Sequence, residues 1–81
     1  MKNFILYGTA ACHLCELAQQ LLELQQQVGG EFDFEFDAVD ISESDELFER
    51  YGLLIPVLQH PNGKELNWPF SADQLGVFLV S

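Results

Sequence analysis

Cys12 and Cys15 are the only thiols in the chain, and His13 and Leu14 separate them. A C-x-x-C pair supports two kinds of chemistry. It can cycle between dithiol and disulfide, or it can supply two thiolates to a metal. The redox route needs a thiolate, and a helix N-terminus lowers a cysteine pKa enough to give one. The metal route needs about four ligands in all. Only His13 and His60 are left as nitrogen donors, and His13 lies too near the cysteines in sequence to join them comfortably.

The elements around the pair must position it. Residues 2–7 are nearly all apolar and end at Gly8, which reads as a buried strand. Residues 13–28 read as a helix. Leu14, Leu17, Ala18, Leu21, Leu22 and Val28 recur at three- and four-residue spacing against a Gln- and Glu-rich opposite face, and Gly29-Gly30 stops the run. Cys12 then falls at the helix N-terminus, where free amides and the helix dipole favour negative charge. Cys15 falls one turn inside.

Residues 31–39 alternate phenylalanine with acid and predict a strand with one solvated acidic face, suited to a sheet edge. Ser42 or Ser44 can cap a second helix over about 43–51, with Leu47, Phe48 and Tyr51 turned inward and Gly52 at its end. Residues 53–59 predict a third strand, interrupted by Pro56, which cannot donate to a ladder. Pro61-Asn62-Gly63 turns the chain into a short strand at about 64–67, and His60 before that turn is expected to meet solvent. Ser71-Ala72-Asp73-Gln74 fits a capping box for a last helix bearing Leu75, Phe78 and Leu79. Tyr7 and Trp68 are expected to pack against the core rather than to do chemistry.

The order is β-α-β-α-β-β-α, an α/β arrangement in one domain over residues 1–81. The first two strands should run parallel and the last two should form a hairpin. Composition narrows the function. Thirteen acids against three bases give a formal charge of −10, which repels nucleic acid and anionic membranes and favours a neutral or cationic partner. No apolar run approaches the ~20 residues of a membrane span, and none suits a signal peptide. The cytoplasm is the expected compartment, and there a close cysteine pair is catalytic or metal-binding more often than structural.

This order, with Cys12-His13-Leu14-Cys15 at the first strand-to-helix junction and Ile55-Pro56-Val57 at the third strand, resembles the thioredoxin fold. It is most similar to glutaredoxins, and among them to small bacterial glutaredoxin-like proteins. The resemblance implies a four-stranded mixed sheet flanked by helices. It implies a cis proline at Pro56, set beside the cysteines, with the Ile55 backbone presented to an extended substrate. It implies a thiol–disulfide oxidoreductase in which Cys12 attacks and Cys15 resolves the mixed disulfide. His13, adjacent to the nucleophile and titrating near neutrality, is the candidate for tuning the thiolate. Leu14, Ile55 and Pro56 are the candidate substrate contacts. No metal or resident cofactor is expected, and the partner is a disulfide-containing protein or a small thiol met by a monomer.

The chain departs from the glutathione-using pattern at two places. Thr9 stands where many glutaredoxins carry a base, three positions before the first cysteine. The stretch from Trp68 to Asp73 lacks the glycine pair that leads into the last helix. Both disfavour glutathione as reductant. Two other readings stand beside the enzyme: an iron–sulfur or metal-binding module, which a cis Pro56 would crowd, and an interaction domain that keeps the fold without catalysis.

Overall fold

The computed structural model describes residues 2–28 and 34–81. The Gly29-Gly30 helix stop and the first three residues of the second strand lie outside them. Among the described residues the chain runs through β1 (Lys2–Gly8), α1 (His13–Val28), β2 (Phe34–Asp40), a 3-10 turn (Ile41–Glu43), α2 (Asp45–Tyr51), β3 (Val57–Gln59), β4 (Glu65–Asn67) and α3 (Ala72–Val80). The strands form one sheet in the order β2-β1-β3-β4. β1 and β2 are parallel, from Lys2 opposite Phe34 to Gly8 opposite Asp40. β3 runs antiparallel to β1, and β4 runs antiparallel to β3.

From Phe4 to Tyr7, β1 is apolar because both of its faces are covered there. Phe4 and Leu6 join Ala18 and Leu22 of α1 and Leu75 and Leu79 of α3 in one core cluster. Ile5 and Tyr7 alternate to the other face, where Ile41, Leu47, Tyr51 and Val57 form a second cluster. The strand is thus held between α1 with α3 on one side and α2 on the other. This fixes where its C-terminal end delivers the chain. β2 is an edge strand, with Phe34 buried and Glu35 and Asp37 turned away from the core, as the alternation requires.

The structure corrects three local expectations. Phe48 faces outward at 55% exposure, so among the described residues it is Leu47 and Tyr51 that seat α2 on the second cluster. The third strand begins at Val57, not at residue 53. The amides of Leu54 and Ile55 both donate to the Tyr51 carbonyl, at 2.8 and 3.1 Å, so residues 53–55 wrap the end of α2. Pro56 therefore lies just ahead of the strand and removes no ladder hydrogen bond. The Ile55–Pro56 bond is cis, and so is Trp68–Pro69.

His60 is the third correction. It is buried at 4% exposure, edge-on to Phe4 and Phe78 with ring centroids 4.8 and 5.5 Å away. Its Nδ1 accepts the Asn62 amide at 3.1 Å, inside a hairpin turn where Gly63 adopts φ 95°. That left-handed position is one that glycine fills without strain. The hairpin turn folds its histidine inward because the apolar floor beneath it, between β1 and α3, needs a ring to complete it. Ser44 rather than Ser42 caps α2, its Oγ accepting from the Leu47 amide. The capping box at Ser71 forms as the spacing predicts.

Candidate active site

The cysteine pair sits where β1 releases the chain into α1. The helix starts at His13, so Cys12 is its cap residue. The Cys12 carbonyl accepts the Glu16 amide at 3.2 Å, and its own amide donates to Thr9 O at 3.4 Å. Its Sγ accepts the Cys15 amide at 3.0 Å. A sulfur thus does what a serine or aspartate oxygen does at an ordinary N-cap. Negative charge on that sulfur meets a hydrogen-bond donor and the positive end of the helix dipole together.

The two sulfurs are bonded to each other, with Cα atoms 5.2 Å apart. Cys12 is half-buried, and Cys15 is buried at 8% exposure. This asymmetry gives one sulfur that meets the outside and one held behind it. Gly8 holds the rear sulfur in place. A Cβ built on Gly8 would stand 2.8 Å from Cys15 Sγ and 3.1 Å from Cys15 Cβ, inside normal contact. The sequence marks Gly8 only as the end of a strand, yet the lack of a side chain there is also what lets Cys15 pack.

The remaining sequence candidates are distributed around this pair. His13 projects into solvent, its side chain 80% exposed, with Nδ1 3.8 Å from the Glu16 carboxylate. Leu14 is exposed beside it. Pro56 precedes Val57, which pairs with Tyr7, so the proline lies across from Gly8 and the loop to Cys12. Its ring is fully buried. The Ile55 side chain packs into the α2-side cluster, and its amide is taken by Tyr51. Its amide is thus already used inside the chain.

Tyr51 in turn is firmly held. It stacks on Tyr7 at 4.4 Å between ring centroids, donates its hydroxyl to Glu65 and lies under the Arg50 guanidinium. Burial, then the hydrogen bond to Glu65, pushes its pKa up to about 12. It stays a neutral donor across the working pH range, and Tyr7 anchors its own hydroxyl on Gln59 at 3.1 Å.

A cleft of about 360 Å³ opens on the other side of Cys15, between the C-terminal ends of β1 and β2 and the first turns of α1. Leu6, Gly8, Cys15, Glu16 and Asp40 are among the residues that line it. No local motif announces it, because its two carboxylates come from elements 24 positions apart in sequence. Crevices at the carboxyl ends of parallel strands are common ligand sites.

The donor set does not fit a metal site within one chain. Among the described residues, no three His, Cys, Asp or Glu side chains converge on one point. His60 is buried beside Phe4, across β1 from the strand end that carries the cysteines. The start of α3 also offers little to an anion. The Ser71 amide donates to Gln74 Oε1 at 2.8 Å and the Gln74 amide to Ser71 Oγ at 3.1 Å, so the box consumes two of the amides a carboxylate would use. Asp73 adds a negative charge in the same turn.

The family model for the glutaredoxin-like domain (DUF836) matches residues 3–79. The chain belongs to this family. Three solved structures of the same architecture agree. The X-ray structure of target protein XcR50 from X. campestris shares 36% identity over 95% of each chain, with a TM-score of 0.78. A solution structure of XcR50 aligns at 39% identity and TM-score 0.76, over 99% of this chain and 94% of that one. Protein Ne2328 from Nitrosomonas europaea aligns at 30% identity and TM-score 0.75, over 96% of this chain and 91% of that one. No curated protein matches the chain. This glutaredoxin-like domain has the thioredoxin fold, and its Cys12–Cys15 pair fits a thiol-redox role. Among the described residues, no helix is long and apolar enough to cross a membrane.

Proposed function

We propose that this glutaredoxin-like domain is a dithiol–disulfide oxidoreductase acting on disulfides of polypeptides or small thiols in the cytoplasm. The observation that carries the reading is the Cys15 amide hydrogen bond to Cys12 Sγ, made at a helix cap by the more exposed of two cysteines. In the reduced protein, the Cys12 thiolate attacks one sulfur of a substrate disulfide. An S–S bond forms at Cys12, and the substrate's other sulfur leaves as a thiolate that takes a proton from water. Cys15 then loses its proton and attacks Cys12 Sγ, forming the Cys12–Cys15 disulfide and releasing the second substrate thiol. Two electrons pass from protein to substrate, and an external thiol reductant returns them by the same steps in reverse.

Leu14, exposed in the first turn of α1, and the Ile55 carbonyl are the surfaces offered to an extended substrate. Pro56 shapes that surface from beneath, its ring already covered. His13 shares the first helical turn and adds positive charge near Cys12 when protonated. Glutathione is a weak candidate for the reductant. Thr9 supplies no charge, the capping box occupies the start of α3, and the molecule carries a charge of −10. A dithiol reductant, or a thiol without carboxylates, suits the site better. The chain is taken to act as a monomer.

The test is a trap. Reduced Cys15→Ser protein, mixed with a peptide disulfide, should accumulate a mixed disulfide at Cys12 visible by intact mass, and Cys12→Ser protein should form none. Failure to trap any adduct across neutral, basic and acidic peptides would defeat the reading.

A further inference from the structure

The cleft beside Cys15 has no part in the exchange steps, yet Cys15 is one of its lining residues. Its chemistry is one-sided. Leu6, Ala38 and Val39 give it an apolar lining, the acidic residues Glu16 and Asp40 line it too, and among the described residues no Lys or Arg does. The Asp40 carboxylate accepts both the amide and the hydroxyl of Ser42, at 2.9 and 2.7 Å. Those two bonds hold its pKa below the usual carboxylate value, so it is ionised across the working range. The Glu16 side chain is largely exposed, with His13 as its near neighbour. The volume is at the small end of the range for ligand sites and is too small for a folded partner. It suits one long side chain.

We propose that this cleft receives a lysine or arginine side chain of the polypeptide whose disulfide is being exchanged, making the domain selective for disulfides in basic sequence. The inference rests on the dithiol–disulfide reading above and names its substrate class. The match is by shape and charge. A lysine or arginine has an apolar stem and a cationic head, and an apolar cleft with a carboxylate rim takes both ends at once. An acidic or phosphate-bearing side chain would meet two carboxylates and no base. The molecule repeats the preference at long range, since its charge of −10 draws in cationic chains and repels anionic ones. With Cys15 in the lining, an occupant of the cleft sits beside the resolving cysteine.

The experiment uses reduced full-length protein and peptide disulfides matched in length. One lysine is walked along the positions flanking the peptide cysteine, and norleucine replaces it in the neutral set. The readout is the ratio of second-order oxidation rates, basic over neutral, at low salt. The cleft predicts a ratio of about five- to tenfold at the best lysine position. It also predicts that the Glu16→Gln/Asp40→Asn protein loses most of that ratio. The Asp40→Asn change keeps a side-chain oxygen to accept from Ser42, and using a ratio cancels any change at Cys12 itself. The Glu46→Gln/Glu49→Gln protein removes the same charge from the exposed face of α2 and should keep the ratio. Equal loss in both double variants would assign the preference to net charge and overturn the cleft. A ratio near one at every lysine position would also overturn it, while leaving disulfide exchange intact. If no peptide oxidises the wild-type dithiol, the underlying oxidoreductase reading falls, and the substrate assignment falls with it.

Discussion

Cys12 is a helix cap and, in the exchange proposed above, the nucleophile, and the two roles ask for the same thing, a sulfur able to accept a hydrogen bond. The cap supplies one strong donor, the Cys15 amide. The contribution of His13 is smaller by geometry. Its ring is solvated, and the Glu16 carboxylate 3.8 Å away draws on any positive charge it carries. Exposed pairs of this kind are worth about 0–1 kcal/mol. His13→Ala should therefore raise the pH midpoint of Cys12 alkylation in the reduced protein by only about half a unit. An unchanged midpoint would remove His13 from the chemistry and leave the helix terminus as the sole source of activation. A shift well above one unit would mean that the imidazole turns toward the sulfur in the reduced state.

At the scale of elements, the β3–β4 hairpin carries the clearest pH dependence. His60 sits between Phe4 and Phe78 with Nδ1 occupied by the Asn62 amide. Among the described residues its Nε2 finds no hydrogen bond of good geometry, although the Ser81 backbone lies near enough to oppose part of the shift. Burial, then the charge of Lys2, pushes its pKa below the ordinary value, with Lys64 adding a little. The folded state therefore binds fewer protons at this site than the unfolded chain. Stability rises with pH wherever that holds, so it should fall as pH drops below about 6.5, the unfolded histidine value. Thermal unfolding followed by circular dichroism at pH 7.5 and 5.5 should show a lower Tm at the acid end, and His60→Gln should flatten the difference. The Asp40 contribution belongs to a lower window, since a depressed carboxylate stabilises above its unfolded value and is lost only as pH falls through its folded one.

The same elements show what was readable from the chain. β1, α1, the acidic edge strand and the α3 capping box follow from periodicity and caps, which are local signals. The C-x-x-C pair is likewise a local signal, whereas the place of Pro56 beside it comes from the family resemblance. Phe48 and His60 were misplaced because burial at those positions is decided by distant partners. α2 already has Leu47 and Tyr51 to seat it, and His60 fills a gap left by β1 and α3. Leu53 and Leu54 read as strand but wrap a helix end, because Tyr51 O captures two amides in succession. The cleft was invisible, since Asp40 and Glu16 meet only through the parallel pairing of β1 and β2.

For the whole molecule, a charge of −10 on 81 residues is a standing internal repulsion. Salt screens it, with a Debye length of ~30 Å at 0.01 M falling to ~10 Å at 0.1 M. Raising sodium chloride across that range should lift the Tm of wild-type protein by a few degrees, as self-repulsion weakens. The same change should slow oxidation by lysine-bearing peptide disulfides. A Tm insensitive to salt would mean that the acids are spaced too widely to oppose folding. In the proposed exchange, the helix cap at Cys12 ties this whole-chain stability to the redox state of the pair. The unfolded chain has no cap and no dipole, so its cysteine pair has the potential of an ordinary peptide. Any stabilisation that folding gives the reduced form over the oxidised form must then appear as a shift in reduction potential, each 30 mV answering to about 1.4 kcal/mol. The difference in folding free energy between the two redox forms and the shift in reduction potential are one quantity. Unfolding curves of the two redox forms, taken side by side, would measure the potential without an electrode.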